Sequence, residues 1–237
     1  MTSPYQGAEL PLFERAVRWK AYWSSLAAPE IRGSVLEAGA GTGATTELLA
    51  SAQFDQWLCL EPDSALLQKI PHRSLPSPAK YEFLPGTLAG LDPARRFDTI
   101  LYIDVLEHIA NDRAEMLMTA PRLNPGGKLV VLSPAHPWLF SRFDQAIGHC
   151  RRYTKRSLQA ASPPSLTLLK MHYLDSAGLL ASAMNRLVLR QTLPTKAQIL
   201  VWDRLLVPVS TQLDSLLGFS LGKSVLGIWE RKQALLP

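Results

Sequence analysis

Val35-Leu36-Glu37-Ala38-Gly39-Ala40-Gly41-Thr42-Gly43 reads as a buried strand running into a glycine-rich turn and out into a helix. Glycine is needed where the backbone turns tightly and approaches a ligand with no Cβ in the way. The start of the following helix offers unpaired N–H groups and a partial positive charge, which suits a carboxylate or a phosphate. Dinucleotide sites space their glycines G-x-G-x-x-G, whereas these fall as G-x-G-x-G with Glu37 ahead of them. A carboxylate at Glu37 repels a pyrophosphate and attracts an ammonium group. Glu61 closes the next apolar strand, where a carboxylate can accept hydrogen bonds from both hydroxyls of a ribose.

Outward from this turn the chain alternates strands and helices. Strands are expected at 34–38, 56–60, 81–84, 97–103 and 128–133, with helices at 42–50, at 64–70 and ending near Leu123. Asn124-Pro125-Gly126-Gly127 reads as a turn. This alternation means βαβ units and a mostly parallel sheet, and the unbroken apolar runs at 99–103 and 129–132 fit strands covered on both faces. Two more strands are expected at 166–173 and 224–229. Between them, 177–217 is helix-rich, broken at Pro194 and Pro208. Ahead of the first strand, Leu12, Ala16, Trp19, Trp23 and Leu26 recur at helical spacing until Pro29. With no repeat and no linker, the reading is an N-terminal helical lid over 1–33 and one α/β domain over 34–237 with a helical insertion at about 177–217.

Composition fits this class. The 237 residues are 47% hydrophobic and 19% charged, which describes a globular chain and excludes a disordered one. Much of the net charge of +5 sits in Arg151-Arg152-Tyr153-Thr154-Lys155-Arg156, read as a solvated helix start, with an anion-binding edge as the alternative. Cys59 lies in an apolar strand and reads as inert packing, and no cysteine spacing suggests disulfides or metal. Glu9 and Glu14 break any signal-like apolar run, and no stretch reaches the ~18 apolar residues of a spanning helix. The expectation is a cytoplasmic protein, monomer or homodimer, with a small-molecule substrate and neither nucleic acid nor membrane as partner.

The stretch from Val35 to Val131 resembles the class I S-adenosylmethionine-dependent methyltransferases. The run from Ala135 to Tyr153, with Phe140-Ser141-Arg142-Phe143-Asp144 and Gly148-His149-Cys150-Arg151-Arg152-Tyr153, resembles a bacterial small-molecule branch of that class, in which Asp144 and Arg151 or Arg152 would pair to hold the loop. The resemblance to the class rests on residues 37–43, Glu61-Pro62-Asp63, Phe97-Asp98-Thr99-Ile100, Asp104-Val105-Leu106-Glu107-His108 and Leu123-Asn124-Pro125-Gly126-Gly127. It implies a Rossmann-like, doubly wound sheet of seven strands, the last antiparallel, and S-adenosylmethionine as cofactor. It further implies that Gly39, Ala40 and Gly41 line the methionine portion beside Glu37, and that Glu61 and Pro62 meet the ribose. Thr87 and Leu88 would lie beside adenine, where the family often has an acidic residue, and Asp104 and Val105 beside the methionine amine.

A sulfonium is already activated, so methyl transfer needs alignment, with a base only where the acceptor must lose a proton. Candidates cluster after strands four and five, and His136, Tyr153 and Asp104 are expected to be catalytic. Asp104-x-x-Glu107-His108, with His149 later, could ligate a divalent ion as in some branches of the family; the reading adopted has no metal, these residues packing and capping a helix. Trp19 and Tyr22 are expected to present aromatic faces to the sulfonium from the lid. The leading function is therefore methyl transfer to a small molecule. The alternative is cyclisation of the methionine part on its own γ-carbon, with release of methylthioadenosine.

Overall fold

The computed structural model describes residues 13–70, 74–184 and 194–232. Five strands run parallel: β1 (Ser34–Ala38), β2 (Gln56–Glu61), β3 (Tyr81–Pro85), β4 (Phe97–Ile103) and β5 (Leu123–Pro134). β6 (Leu166–Leu174) and β7 (Ser224–Arg231) complete a sheet ordered β3-β2-β1-β4-β5-β7-β6, with β7 antiparallel to both neighbours. Val35, Leu36, Ile100, Leu101, Val130 and Val131 are wholly buried because helices cover both faces, which is why these strands carry apolar residues at consecutive positions. The helices are α1 (Val17–Ala27), α2 (Ala44–Leu49), α3 (Ser64–Leu67), α4 (Asp112–Thr119), α5 (Arg142–Ala146), α6 (Lys155–Ala161), α7 (Ser176–Met184), α8 (Lys196–Val201) and α9 (Val207–Leu216).

Two elements differ from the sequence reading. Asn124-Pro125-Gly126-Gly127 lies within β5 and bulges from it: Phe97 pairs with Leu123, yet Thr99 pairs with Lys128. Gly126 takes a φ of 75°, Asn124 Nδ2 donates to Asp98 Oδ1 at 2.9 Å, and the Arg32 guanidinium donates to the Gly126 carbonyl. Pro208 does not break its helix. A π turn over Trp202–Leu206 joins α8 to α9, and the carbonyl four residues before the proline, Arg204 O, accepts from Arg18 Nη1 at 3.3 Å instead.

The basic run at 151–156 opens a helix, as expected, with Arg156 exposed, but its other cations bond within the protein. Arg151 donates to the carbonyls of Ile109 and Ala110, Arg152 pairs with Asp144, and Lys155 Nζ donates to Phe219 O. Cys59 is fully buried, as its apolar strand implied.

Behind the glycine turn, Glu37 is buried, and its Oε2 accepts from Thr46 Oγ1 at 2.7 Å and Trp57 Nε1 at 2.9 Å. It thereby ties β1 to α2 and β2. Burial pushes its carboxyl up to about 7, with the Glu61 charge adding to the rise and the two hydrogen bonds opposing it. A folded value above the ordinary one means the associated stability is complete below about 4.5 and declines as pH rises through 7. Glu37→Gln, which cannot ionise, is expected to abolish that decline. Thermal melts from pH 4.5 to 8 should show the wild type losing ground to the variant; parallel curves would place the titration elsewhere.

Candidate active site

A cleft of about 1940 Å³ opens at the carboxyl ends of the strands, where an open α/β sheet places its ligands. The turn after β1 supplies Gly39, Ala40 and Gly41, the end of β2 supplies Glu61 and Pro62, and the loop after β3 supplies Thr87 and Leu88. Asp104 and Val105 follow β4, and Trp19 faces in from α1. The two glycines do different work. A Cβ on Gly39 would strike Val105 Cγ2 at 2.6 Å, so this glycine lets β1 close against β4. A Cβ on Gly41, at φ 55°, would meet nothing within 4 Å; the space above it is the cleft itself.

Glu61 is held by the backbone. Gly41 N donates to its Oε2 at 2.8 Å and Asp63 N to its Oε1 at 2.9 Å. Each carboxylate oxygen keeps a further lone pair, so the pinned group can accept from a pair of vicinal hydroxyls. The acceptor pair on Glu61 and the open space over Gly41 therefore suit a ribose and a chain lying over the turn.

On the opposite wall, acids and imidazoles gather. Asp104 adopts a left-handed φ of 54°, a strained conformation that presents its carboxylate to the cleft. The surrounding protein pushes its carboxyl up to about 6, against the pull of His149 and Lys223. Glu107 is fully buried. Its Oε2 accepts from Ser133 Oγ at 2.9 Å, while Oε1 has no hydrogen-bond partner and lies 3.8 Å from His149 Nε2. Burial, and then the charge of Asp104, holds the Glu107 carboxyl well above its usual range. His149 Nδ1 is 3.0 Å from Asp144 Oδ1. Burial alone would raise Asp144, but hydrogen bonds from His149, Arg152 and Ser141 hold it down at about 2. His108 stands edge-on to His149 at 4.6 Å, and burial lowers its imidazole to about 4. Glu107, His108 and His149 each place a ligand atom within 4.8 Å of the others, so these three could hold a cation.

Four expected site residues do not line the cleft. Glu37 lies behind the turn, as described. The Tyr22 hydroxyl turns away and donates to Asp214 Oδ2 at 2.8 Å. His136 stacks on Tyr173 with ring centres 4.7 Å apart, its Nε2 2.9 Å from Gly222 O. The buried Tyr153 hydroxyl donates to Asp112 Oδ2 at 2.7 Å. Lys223, Phe143 and Trp202 line the cleft without having been singled out by their sequence. Lys223 Nζ sits 3.4 Å over the Trp202 ring and 3.3 Å from Asp175 Oδ2, and its only sequence signal is a lone cation just ahead of an apolar strand.

A seven-stranded sheet in this order, with a glycine turn after β1 and an acid after β2 on one cleft, defines the class I S-adenosylmethionine-dependent methyltransferase fold. The family described as "Methyltransferase domain" matches residues 13–163, and the chain belongs to that family. A search of curated proteins finds no match. Among solved structures, the chain is similar to a putative methyltransferase in complex with the Haloferax volcanii Trm112 methyltransferase activator (14% identity, 96% of this chain and 95% of that one, TM-score 0.64). It is also similar to DhpI in complex with SAH (22% identity, 70% and 83% coverage, TM-score 0.52). A third is Coclaurine N-Methyltransferase bound to N-methylheliamine and SAH (14% identity, 91% and 72% coverage, TM-score 0.59).

Gly41 offers a direct test of the cleft. An alanine there costs about 1–2 kcal/mol in backbone strain and projects its methyl into the ligand space. Gly41→Ala is expected to melt a few degrees lower and to bind S-adenosylmethionine at least tenfold more weakly by calorimetry. Unchanged affinity would show that the ligand does not lie over this turn.

Proposed function

We propose that the chain transfers a methyl group from S-adenosylmethionine to a small-molecule acceptor bound in the same cleft. The observation that carries this reading is the size of the cleft. About 1940 Å³ exceeds the roughly 300–1,000 Å³ of ordinary ligand sites, leaving room for a second molecule beside the cofactor. Cyclisation within the methionine part would need no such room. A solved neighbour bound to N-methylheliamine supports the small-molecule class.

S-adenosylmethionine supplies an activated methyl on a sulfonium, and the protein's task is placement and proton management. In this reading Glu61 holds the ribose, Gly39 to Gly41 flank the methionine chain, Thr87 and Leu88 border the adenine, and Asp104 faces the methionine ammonium. Trp19 closes the lid side. For an acceptor that must lose a proton, His149 is better placed than His136 or Tyr153, because it lines the cleft. The ionised Asp144 accepts a hydrogen bond from His149 Nδ1–H, which leaves Nε2 to act as the base.

Glu61→Ala is expected to weaken S-adenosylmethionine binding by about 1.5–3 kcal/mol, the scale of hydrogen bonds to a charged group. Calorimetry checks this, and an unchanged dissociation constant would remove the cofactor assignment. His149→Ala is expected to lower kcat at least a hundredfold with cofactor affinity nearly unchanged, and wild-type turnover should survive EDTA. Loss with EDTA and recovery with magnesium would instead assign Glu107, His108 and His149 to a metal.

A further inference from the structure

Most of the exposed large apolar side chains among the described residues lie between Leu180 and Leu221, on the helices inserted before the last strand. Leu180 and Met184 stand four apart on α7, at 70% and 61% exposure. Val201, Leu205, Val209 and Leu216 recur along the continuous helix from α8 to α9, and Leu205 and Leu216 reach 62% and 81%. A four-residue repeat drifts slowly round an α-helix, and the wider π turn over Trp202–Leu206 takes up that drift, keeping the stripe on one side. Helices α7 and α9 pack against each other through buried polar residues, with Ser210 Oγ accepting from Ala177 N at 3.1 Å and donating to Asp175 Oδ1 at 2.6 Å.

Charge identifies what this face suits. The acidic residues between 176 and 223 are Asp203 and Asp214, and both are buried. Among the described residues of α7 to α9, the exposed charges are Lys196 and Arg204, both positive, and exposed Arg18 adjoins Arg204. An apolar stripe whose exposed charges among the described residues of α7 to α9 are all cations, on helices not both long and apolar enough to cross a membrane, has the chemistry of an interfacial helix on anionic lipid. Met184 and Val201 belong both to this face and to the wall of the cleft, so the two surfaces are continuous.

We propose that α7 to α9 dock the protein peripherally on an anionic bilayer, bringing the mouth of the cleft to the lipid surface. The expectation from sequence, that a chain without a spanning segment has no membrane partner, does not extend to such a face. The proposal concerns binding alone and stands or falls independently of methyl transfer.

Co-sedimentation with vesicles of equal phosphatidylglycerol and phosphatidylcholine tests it, with pure phosphatidylcholine vesicles as control. The full chain should pellet with the anionic vesicles at least tenfold more strongly, and raising the salt to 0.5 M should reverse much of this. The Leu180→Glu, Leu205→Glu, Leu216→Glu triple variant changes exposed residues that do not line the cleft. It should lose vesicle binding at least tenfold while keeping its melting temperature and its affinity for S-adenosylmethionine. A second variant, Lys196→Glu with Arg204→Glu, should weaken binding at low salt even if the first folds poorly. The proposal is overturned if the wild type ignores anionic vesicles, or if neither variant weakens binding. A wild-type dimer that the triple variant converts to monomer by light scattering would overturn it in favour of a second copy on this face.

Discussion

Three buried carboxylates, Asp175, Asp203 and Asp214, hold the cleft wall in place. Neither α1 nor the inserted helices belong to the βαβ core, and directional bonds fix where they sit. Asp203 accepts from the backbone N–H groups of Arg18 and Trp19, at 3.2 and 2.9 Å, satisfying two otherwise orphaned donors in the first turn of α1. Asp214 accepts from the Tyr22 hydroxyl and from the backbone of Asp175 and Ser176, joining α1 to the start of α7. Asp175 then accepts from Gly178 N, Ser210 Oγ and Trp202 Nε1. Removing any one carboxylate would strand at least two donors, at about 1–3 kcal/mol for each that is buried.

The central strands were legible because burial on both faces demands apolar residues at successive positions, and the sequence has them at 99–103 and 129–132. The glycine turn was legible for a similar reason: its spacing is set by close approach at Gly39 and by open space at Gly41. The direction in which a polar side chain points was not. Glu37, Tyr22 and Tyr153 face inward because Trp57, Asp214 and Asp112 receive them, and those partners come from distant parts of the chain. Pro208 misled for a related reason, since the carbonyl it leaves free is satisfied by Arg18 from another helix. The run from Asp144 to Arg152 suggests an ion pair that holds its own loop, and Asp144 does pair with Arg152; that Asp144 also meets His149 Nδ1, fixing the ring beside the cleft, is what the pattern leaves unsaid.

The acidic wall is a balance of unequal environments. Asp104, Glu107 and Asp144 lie within one small region, yet the surrounding protein raises the first and burial the second, while hydrogen bonds from His149 and Arg152 keep the third ionised. Carboxyls driven apart in this way can divide tasks between them, one holding charge and another holding a proton. His149 stands between the two kinds, touching Asp144 through one nitrogen and approaching Glu107 with the other.

The π turn places three duties on consecutive residues. Trp202 forms cleft wall, Asp203 grips the start of the N-terminal helix, and the Arg204 carbonyl receives Arg18. That helix is consequently clamped at its amino end and tied again at Tyr22, so it cannot swing aside like a door on a single hinge. Held at both points, the helix presents Trp19 and Trp23 as fixed wall, so those side chains help set the shape of what the cleft accepts.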